Sequence, residues 1–298
     1  MTNLGIVVGV DGSGSSTSAV RWAAREAQSR NIPLLVIKLV APVGPIGSSW
    51  PGVPIPEDYV SLQRSEARVV VDAALQIATE SVAGQPLQSS GEVVSGPILA
   101  TLVEMSKQSQ MMVVGCRGAG AVSRALLGSV SSGLVHHAHC PVAVIHPEEP
   151  RSPQAPVVVG VDGSPASELA TAIAFDQASR RGVDLVALHA WSDMGPIEFA
   201  SANWAPIEWR NIKVAEEEVL SERLSGYSER YPNVTVRKVV VSDRPAPRLL
   251  ELAAEAQLLV VGCRGRGGFA GMLLGSVGSA VVNSAQIPVI VARMPSNA

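Results

Sequence analysis

The sequence predicts an α/β protein of two tandem units, each an open parallel five-stranded sheet of order 3-2-1-4-5 with helices on both faces. Three observations predict it. Short Val- and Ile-rich runs alternate with amphipathic stretches along the chain, the pattern of strands buried on both faces between crossover helices. The pattern occurs twice. GVDGS at 9–13 returns at 160–164, an offset of 151, and VVGCRGAGAVSRALLGSV at 113–130 returns as VVGCRGRGGFAGMLLGSV at 260–277, an offset of 147. Finally, 298 residues suffice for two such units, each of roughly 145–150 residues, an ordinary domain size.

The first repeat, expected over 1–147, opens on GIVVGV (5–10), read as strand one. A helix follows from about Ser15 to Arg30, with Ala19, Val20, Ala23 and Ala27 along one side. LLVIKLV (34–40) is strand two, and the Pro/Gly-rich stretch 41–56 is a loop. A long helix from about Asp58 to Ser81 and a strand near 87–94 come next. Pro97 is placed in the first turn of a short helix reaching about Ser109, where a missing N–H costs no hydrogen bond. MMVVG (111–115) is strand four. The glycine-rich loop follows, then a helix from Ser129 to about Ala138, and after Pro141 strand five, VAVIH (142–146). EEPRSPQAP (148–156) reads as a linker. The second repeat, expected over 156–298, runs in the same order: strand 157–161, helix Pro165–Arg181, strand 185–190, helix 206–230, strand 234–241, helix 245–256, strand 258–262, glycine loop, helix 276–285 and strand 289–293.

Composition narrows the function. Apolar residues make up 47% of the chain and aromatics 4%, so Val, Ala, Leu and Ile must build the cores. A net charge of −3, from 23 basic and 26 acidic residues without a Lys/Arg run, argues against general affinity for nucleic acid or anionic membranes. No apolar run approaches the roughly 18 residues of a bilayer span. The N-terminus enters a strand pattern without a basic-then-apolar leader, and a cytoplasmic location is expected. Three cysteines cannot pair completely and form no CxxC. Cys116 and Cys263 read as small residues beside a tight turn, with a partly open redox thiol as the alternative.

The repeated glycines point to a phosphate cradle. Open α/β sheets bind ligands where the strand order reverses, and order 3-2-1-4-5 brings strands one and four together there. Their ends carry Asp11 and Gly115 in one repeat, Asp162 and Gly262 in the other. Gly115 and Gly118 can take positive φ and let the backbone approach a ligand closely. Gly120 and Gly267 fall inside the same loops. Gly128-Ser129 and Gly275-Ser276 open helices whose free N–H groups suit an anion, and Arg117 and Arg264 add positive charge beside the loops. A carboxylate at Asp11 or Asp162 repels phosphate but accepts hydrogen bonds from ribose hydroxyls or an adenine amino group. Backbone groups near Leu39 and Ala190 are placed to read the base, and Gly9 and Gly160 leave space beside it.

On these residues the chain resembles a tandem universal stress protein, a likeness covering nearly all of both repeats. ATP-binding members of that family carry G-x2-G-x9-G-(S/T) after strand four and an Asp after strand one. Gly115, Gly118, Gly128 and Ser129 with Asp11 match it, as do Gly262, Gly265, Gly275 and Ser276 with Asp162. The resemblance implies that the glycines and serine hold ribose and phosphates, that the Asp sits at the nucleoside end, and that Val130 and Val277 follow at the helix start. It also implies antiparallel pairing of the two fifth strands and further assembly into a homodimer. Mg²⁺ is expected beside the phosphates, since only one or two arginines per site share their charge.

Other signals carry less. HHAHC (136–140) places His136, His139 and Cys140 on one helical side, but the counterparts Asn283, Gln286 and Ile287 cannot form a metal site, so a helix end is the better reading. GRGGFA (265–270) fits a dinucleotide pattern but follows the fourth strand of its repeat and has no acidic residue about 20 positions on. No Walker motif or nucleophile elbow is present. His189 has Lys38 as its counterpart and is a poor catalytic candidate. Trp50, Trp191, Trp204 and Trp209 read as covers for core edges, with a partner contact as the alternative. Three functions stay open: a stress or dormancy regulator that senses ATP occupancy and acts on a protein partner, a slow ATP hydrolase, and a nucleotide-free interaction module. The lack of a general base beyond Asp11 favours the first.

Overall fold

The computed structural model describes residues 4–41, 57–82, 84, 86–118, 127–146, 151–191, 207–266 and 273–294. The chain divides into two compact units between Pro147 and Glu148. In the first, β1 (Ile6–Gly9), α1 (Gly14–Arg30), β2 (Leu34–Val40), α2 (Glu57–Glu80), β3 (Ser89–Ser95), α3 (Ile98–Ser106), β4 (Met111–Gly115), α4 (Ser129–His137) and β5 (Val142–Ile145) follow in order. The strands lie as β3-β2-β1-β4-β5, every neighbour parallel. α1 packs with α2 on one face and α3 with α4 on the other. Ile6, Val7, Val8, Met112 and Val113 are fully buried, so the central strands are apolar on both faces, as their unbroken hydrophobic runs require.

The second unit repeats this order with β6 (Val157–Gly160), α5 (Pro165–Arg181), β7 (Leu185–Ala190), α6 (Ile207–Arg230), β8 (Val236–Val241), α7 (Pro245–Ala253), β9 (Leu258–Gly262), α8 (Ser276–Ser284) and β10 (Val289–Ala292). Its strands lie as β8-β7-β6-β9-β10, again parallel. Within it, Phe175 stacks on Tyr227 and Tyr231 at centroid distances of 5.4 and 5.9 Å. The described part of the linker is stitched to this unit: Arg151 Nη1 donates to the Ala254 carbonyl at 2.8 Å, and Gln257 Nε2 to the Ala155 carbonyl at 2.6 Å.

The helix ends follow local chemistry. Ser13 and Ser164 cap α1 and α5, their hydroxyls accepting the N–H of Ser16 at 3.1 Å and of Ser167 at 3.2 Å. Both helices stop in a left-handed residue, Asn31 (φ 52) in one and Gly182 (φ 65) in the other. α3 departs from the sequence expectation. Pro97 is its N-cap and not its first helical residue, and the helix ends at Ser106, short of Ser109. There the backbone tightens, with Lys107 N–H on Glu104 and Gln108 N–H on Met105, while Ser106 Oγ donates to the Val103 carbonyl at 2.6 Å and accepts the His139 N–H at 2.8 Å. The expected loop over 41–56 lies outside the described residues beyond Ala41, as do Trp50 and Trp204.

Candidate functional site

β1 and β4 are neighbours, so the turn after β1 and the loop after β4 leave the sheet side by side. Asp11 stands on the first. Its Oδ1 accepts the Ser13 N–H at 2.9 Å, and its carbonyl accepts Lys38 Nζ at 3.2 Å. Gly12 carries φ 90, the left-handed conformation that lets the chain turn into α1. Ser13 does more than cap, because its hydroxyl also reaches the Arg117 carbonyl at 3.5 Å and ties α1 to the glycine loop. The loop closes on itself where the Gly128 N–H meets the Cys116 carbonyl at 2.8 Å.

The glycines are there for closeness. Positive φ falls on Gly12 and Gly163, not on Gly115, Gly118, Gly262 or Gly265, which corrects the sequence expectation. A Cβ on Gly115 would strike the backbone of Ser15 at 2.7 Å, and one on Gly262 the Ala166 carbonyl carbon at 2.9 Å. These two glycines let the start of α1 or α5 lie against the strand end. A Cβ on Gly118 would stand 2.8 Å from Asp11 Oδ2, and Gly265 is set against Asp162 in the same way. Gly9 has room, a Cβ there meeting only Val114 at 3.6 Å. Gly160 is tighter, with Leu249 at 3.3 Å.

α4 starts differently from α1. Gly128 is its N-cap and, among the described residues, no side-chain hydrogen bond caps its first turn. Among the described residues a Cβ on Gly128 would meet nothing nearer than 3.5 Å, so they leave space for a capping residue and the sequence does not supply one. Gly275 begins α8 in the same way, with no capping side chain and, among the described residues, no contact of an added Cβ nearer than 3.6 Å. The amides of Ser129, Val130 and Ser131 precede the first intrahelical acceptor bond, from Ser132 N–H to Gly128. Those three residues line a cleft of about 220 Å³, together with Gly9, Asp11, Lys38, Leu39, Gly115, Arg117, Gly118 and Gly128. Uncovered helix amides beside a cation fit an anionic group. Asp11 is the acidic residue of this cleft among the described residues and suits hydroxyl or amino donors.

The second repeat rebuilds the arrangement. Asp162 Oδ1 accepts the Ser164 N–H at 2.9 Å, and its Oδ2 accepts the Arg266 N–H at 3.2 Å, which joins the two loops directly. Ser164 Oγ donates to the Arg264 carbonyl at 3.1 Å, and the Gly275 N–H closes the loop on Cys263 at 2.8 Å. Ala190 ends β7, paired with Val241, and Ser276 and Val277 open α8. Gly120 and Gly267 lie outside the described residues. Cys116 and Cys263 are 2% and 5% exposed, so neither is the partly open thiol that the sequence allowed. His136 bonds through Nδ1 to the Ser132 carbonyl at 2.7 Å, and among the described residues no three His, Cys, Asp or Glu side chains gather as for a metal ion.

Two features escaped the sequence reading. Ser13 and Ser164 each join a helix cap to the glycine loop, and the Ser after Asp-Gly in both GVDGS copies was the available signal. Lys38 lines the first cleft, while its counterpart His189 is buried. That difference was visible as a repeat mismatch but pointed to no geometry.

The comparisons agree with this architecture. The sequence profile described as the Universal stress protein family matches residues 5–146 and 155–293. Universal stress protein Rv1996 of Mycobacterium tuberculosis is 58% identical over 313 residues, covering 99% of this chain and 97% of that protein. The crystal structure of a universal stress protein from Archaeoglobus fulgidus has the same fold, with a TM-score of 0.72 at 19% identity over 98% of this chain and 99% of that one. A universal stress protein solved in complex with cAMP matches 50% of this chain and 100% of its own at 23% identity, with a TM-score of 0.38. With two matches that together span almost its whole length, the chain belongs to the universal stress protein family.

Proposed function

We propose that this protein is a nucleotide-responsive regulator with one ATP site in each repeat, and that occupancy of those sites alters loop order and surface shape for a protein partner in a stress or dormancy response. The observation that carries this reading is the uncapped start of α4 beside Asp11, found again in α8 beside Asp162. The amides after Gly128, or after Gly275, would hold phosphate oxygens, with Ser129 or Ser276 adding a hydroxyl and Arg117 or Arg264 a positive charge. Gly118 and Gly265 let the glycine loop lie against the Asp carboxylate, which stands where a ribose hydroxyl or an exocyclic amine would reach it. Gly9 and Leu39, with Gly160 and Ala190 in the second repeat, leave room for the base. Without a clustered set of metal ligands among the described residues, Mg²⁺ is expected to enter with the phosphates and to keep most of its water. Homodimerisation belongs to the same proposal.

Denaturing freshly purified protein and chromatographing the supernatant tests the reading, and adenine nucleotide is the expected product. Asp11→Ala should weaken adenosine binding by about tenfold, the scale of one or two hydrogen bonds to a charged group, and inorganic triphosphate binding far less. Equal losses for both probes would remove Asp11 from the nucleoside end. Steady phosphate release that depends on Ser129 would replace the regulator with an enzyme.

A further inference from the structure

His189 lies on β7 and is 3% exposed, yet both of its ring nitrogens are engaged. Nδ1 meets the Val161 carbonyl at 2.7 Å and Nε2 meets Glu216 Oε2, on α6, at 2.9 Å. A carbonyl and a carboxylate only accept, so both bonds form together only when both nitrogens carry hydrogen, as in the imidazolium. Val161 immediately precedes Asp162, whose carboxylate holds the Ser164 and Arg266 N–H groups and so joins the β6 turn to the glycine loop. In the first repeat Lys38, the counterpart of His189, reaches the same turn one residue further on, its Nζ donating to the Asp11 carbonyl at 3.2 Å.

Among the described residues, several charged side chains stand on the elements packed around β7, and one of them, Arg223, keeps a buried Nη1 without a hydrogen-bond partner. On α6, Lys213 pairs with Glu217 at 3.8 Å, and the Arg223 guanidinium fills the space that a Cβ on Gly163 would take. On β8, Lys238 donates to Ser221 Oγ at 2.8 Å and Arg237 is exposed. On α5, Asp176 pairs with Arg180 at 2.9 Å, and on α7 Arg248 is held by Asp243 and Glu251. The turn that follows β6 offers the Val161 carbonyl, with Asp162 just beyond it.

We propose that His189 is a positioning residue that makes the second nucleotide site, and not the first, sensitive to protons: the doubly protonated ring holds Asp162 in place through the Val161 carbonyl, and loss of the Nδ1 proton, with Nε2–H kept on Glu216, releases that carbonyl. The proposal rests on the reading of the second repeat as a nucleotide site. In repeat one the ammonium of Lys38 only donates, so its bond to the Asp11 carbonyl needs no second ring proton.

The test uses the full chain carrying Gly118→Val, which leaves only the second site, titrated with Mg·ATP at pH 6 and pH 8. Affinity should fall about tenfold over that interval, the scale of one charge-assisted hydrogen bond. Adding His189→Lys, the first repeat's own solution, should flatten the profile to within about twofold, and the nucleotide's own protonation is common to both proteins. A pH-dependent loss that survives His189→Lys, or a flat profile with His189 present, would overturn the proposal while leaving the nucleotide reading intact. No binding at either pH would overturn both. If His189→Lys does not fold, nitrogen NMR of the unsubstituted chain decides. Both ring nitrogens should carry hydrogen while both bonds hold, and loss of the Nδ1 proton should shift the Asp162 and Arg266 amides in step. A titration that leaves those amides unmoved would contradict the proposal.

Discussion

Gly128 has room for a side chain and carries none. The protein around it would accept a Cβ at ordinary van der Waals distance, and Asp or Ser at such a position normally caps a helix. Gly128→Asp should therefore stabilise the first repeat by about 0.5 kcal/mol, yet reduce Mg·ATP affinity there at least about tenfold by covering the amides and repelling phosphate. A thermal melt and a binding titration check both halves. A variant that melts earlier and still binds would contradict this account of the glycine. The other loop glycines were legible as a pattern but not as a mechanism. Gly115 admits the backbone of Ser15, and Gly118 admits the Asp11 carboxylate. Spacing marked these positions, but the partner that fills the missing side chain's space comes from a distant part of the chain.

Secondary-structure elements were read more completely, because their signals are local. α5 begins at Pro165 and ends at Arg181 as its capping Ser, first-turn Pro and following Gly require. α3 was overextended, because the tightened last turn and the Ser106 contact to His139 arise from packing across 33 positions in sequence. α7 shows a charge effect at its start. Asp243 accepts its neighbour Arg244's N–H and the Arg248 Nε, both at 2.6 Å. The Arg244 N–H holds the Asp243 carboxyl below the usual carboxylate range, Arg248 adds to this, and burial opposes it. A depressed carboxyl stabilises the fold above its ordinary value near 3.8, and the contribution fades as pH falls through the lower folded value. Asp243→Asn should therefore lower Tm at pH 7, with the gap to the unsubstituted protein closing below about pH 4. Melts across that range check it, and a gap that widens in acid would show that the carboxylate is not the stabilising form. Gly96 stands at the equivalent place in the first repeat, so the effect belongs to the second.

At the scale of the whole molecule, the duplication was the most legible feature, and the differences between copies were the least. Both units share strand order, loop closure and the Ser link between helix and loop. They differ where Lys38 meets His189, Gly96 meets Asp243 and Ser15 meets Ala166. Such substitutions change charge and hydrogen bonding without changing the hydrophobic pattern, so periodicity does not register them. No helix among the described residues is long and apolar enough to cross a membrane. The central claim is that each repeat grips a nucleotide between an uncapped helix start and an Asp carboxylate. Calorimetric stoichiometry with Mg·ATP tests it most directly, on the unsubstituted chain, Gly118→Val, Gly265→Val and the double variant. The account predicts two nucleotides per chain, then one, one and none, with the melting behaviour of a folded protein throughout. Undiminished binding in the folded double variant would contradict it.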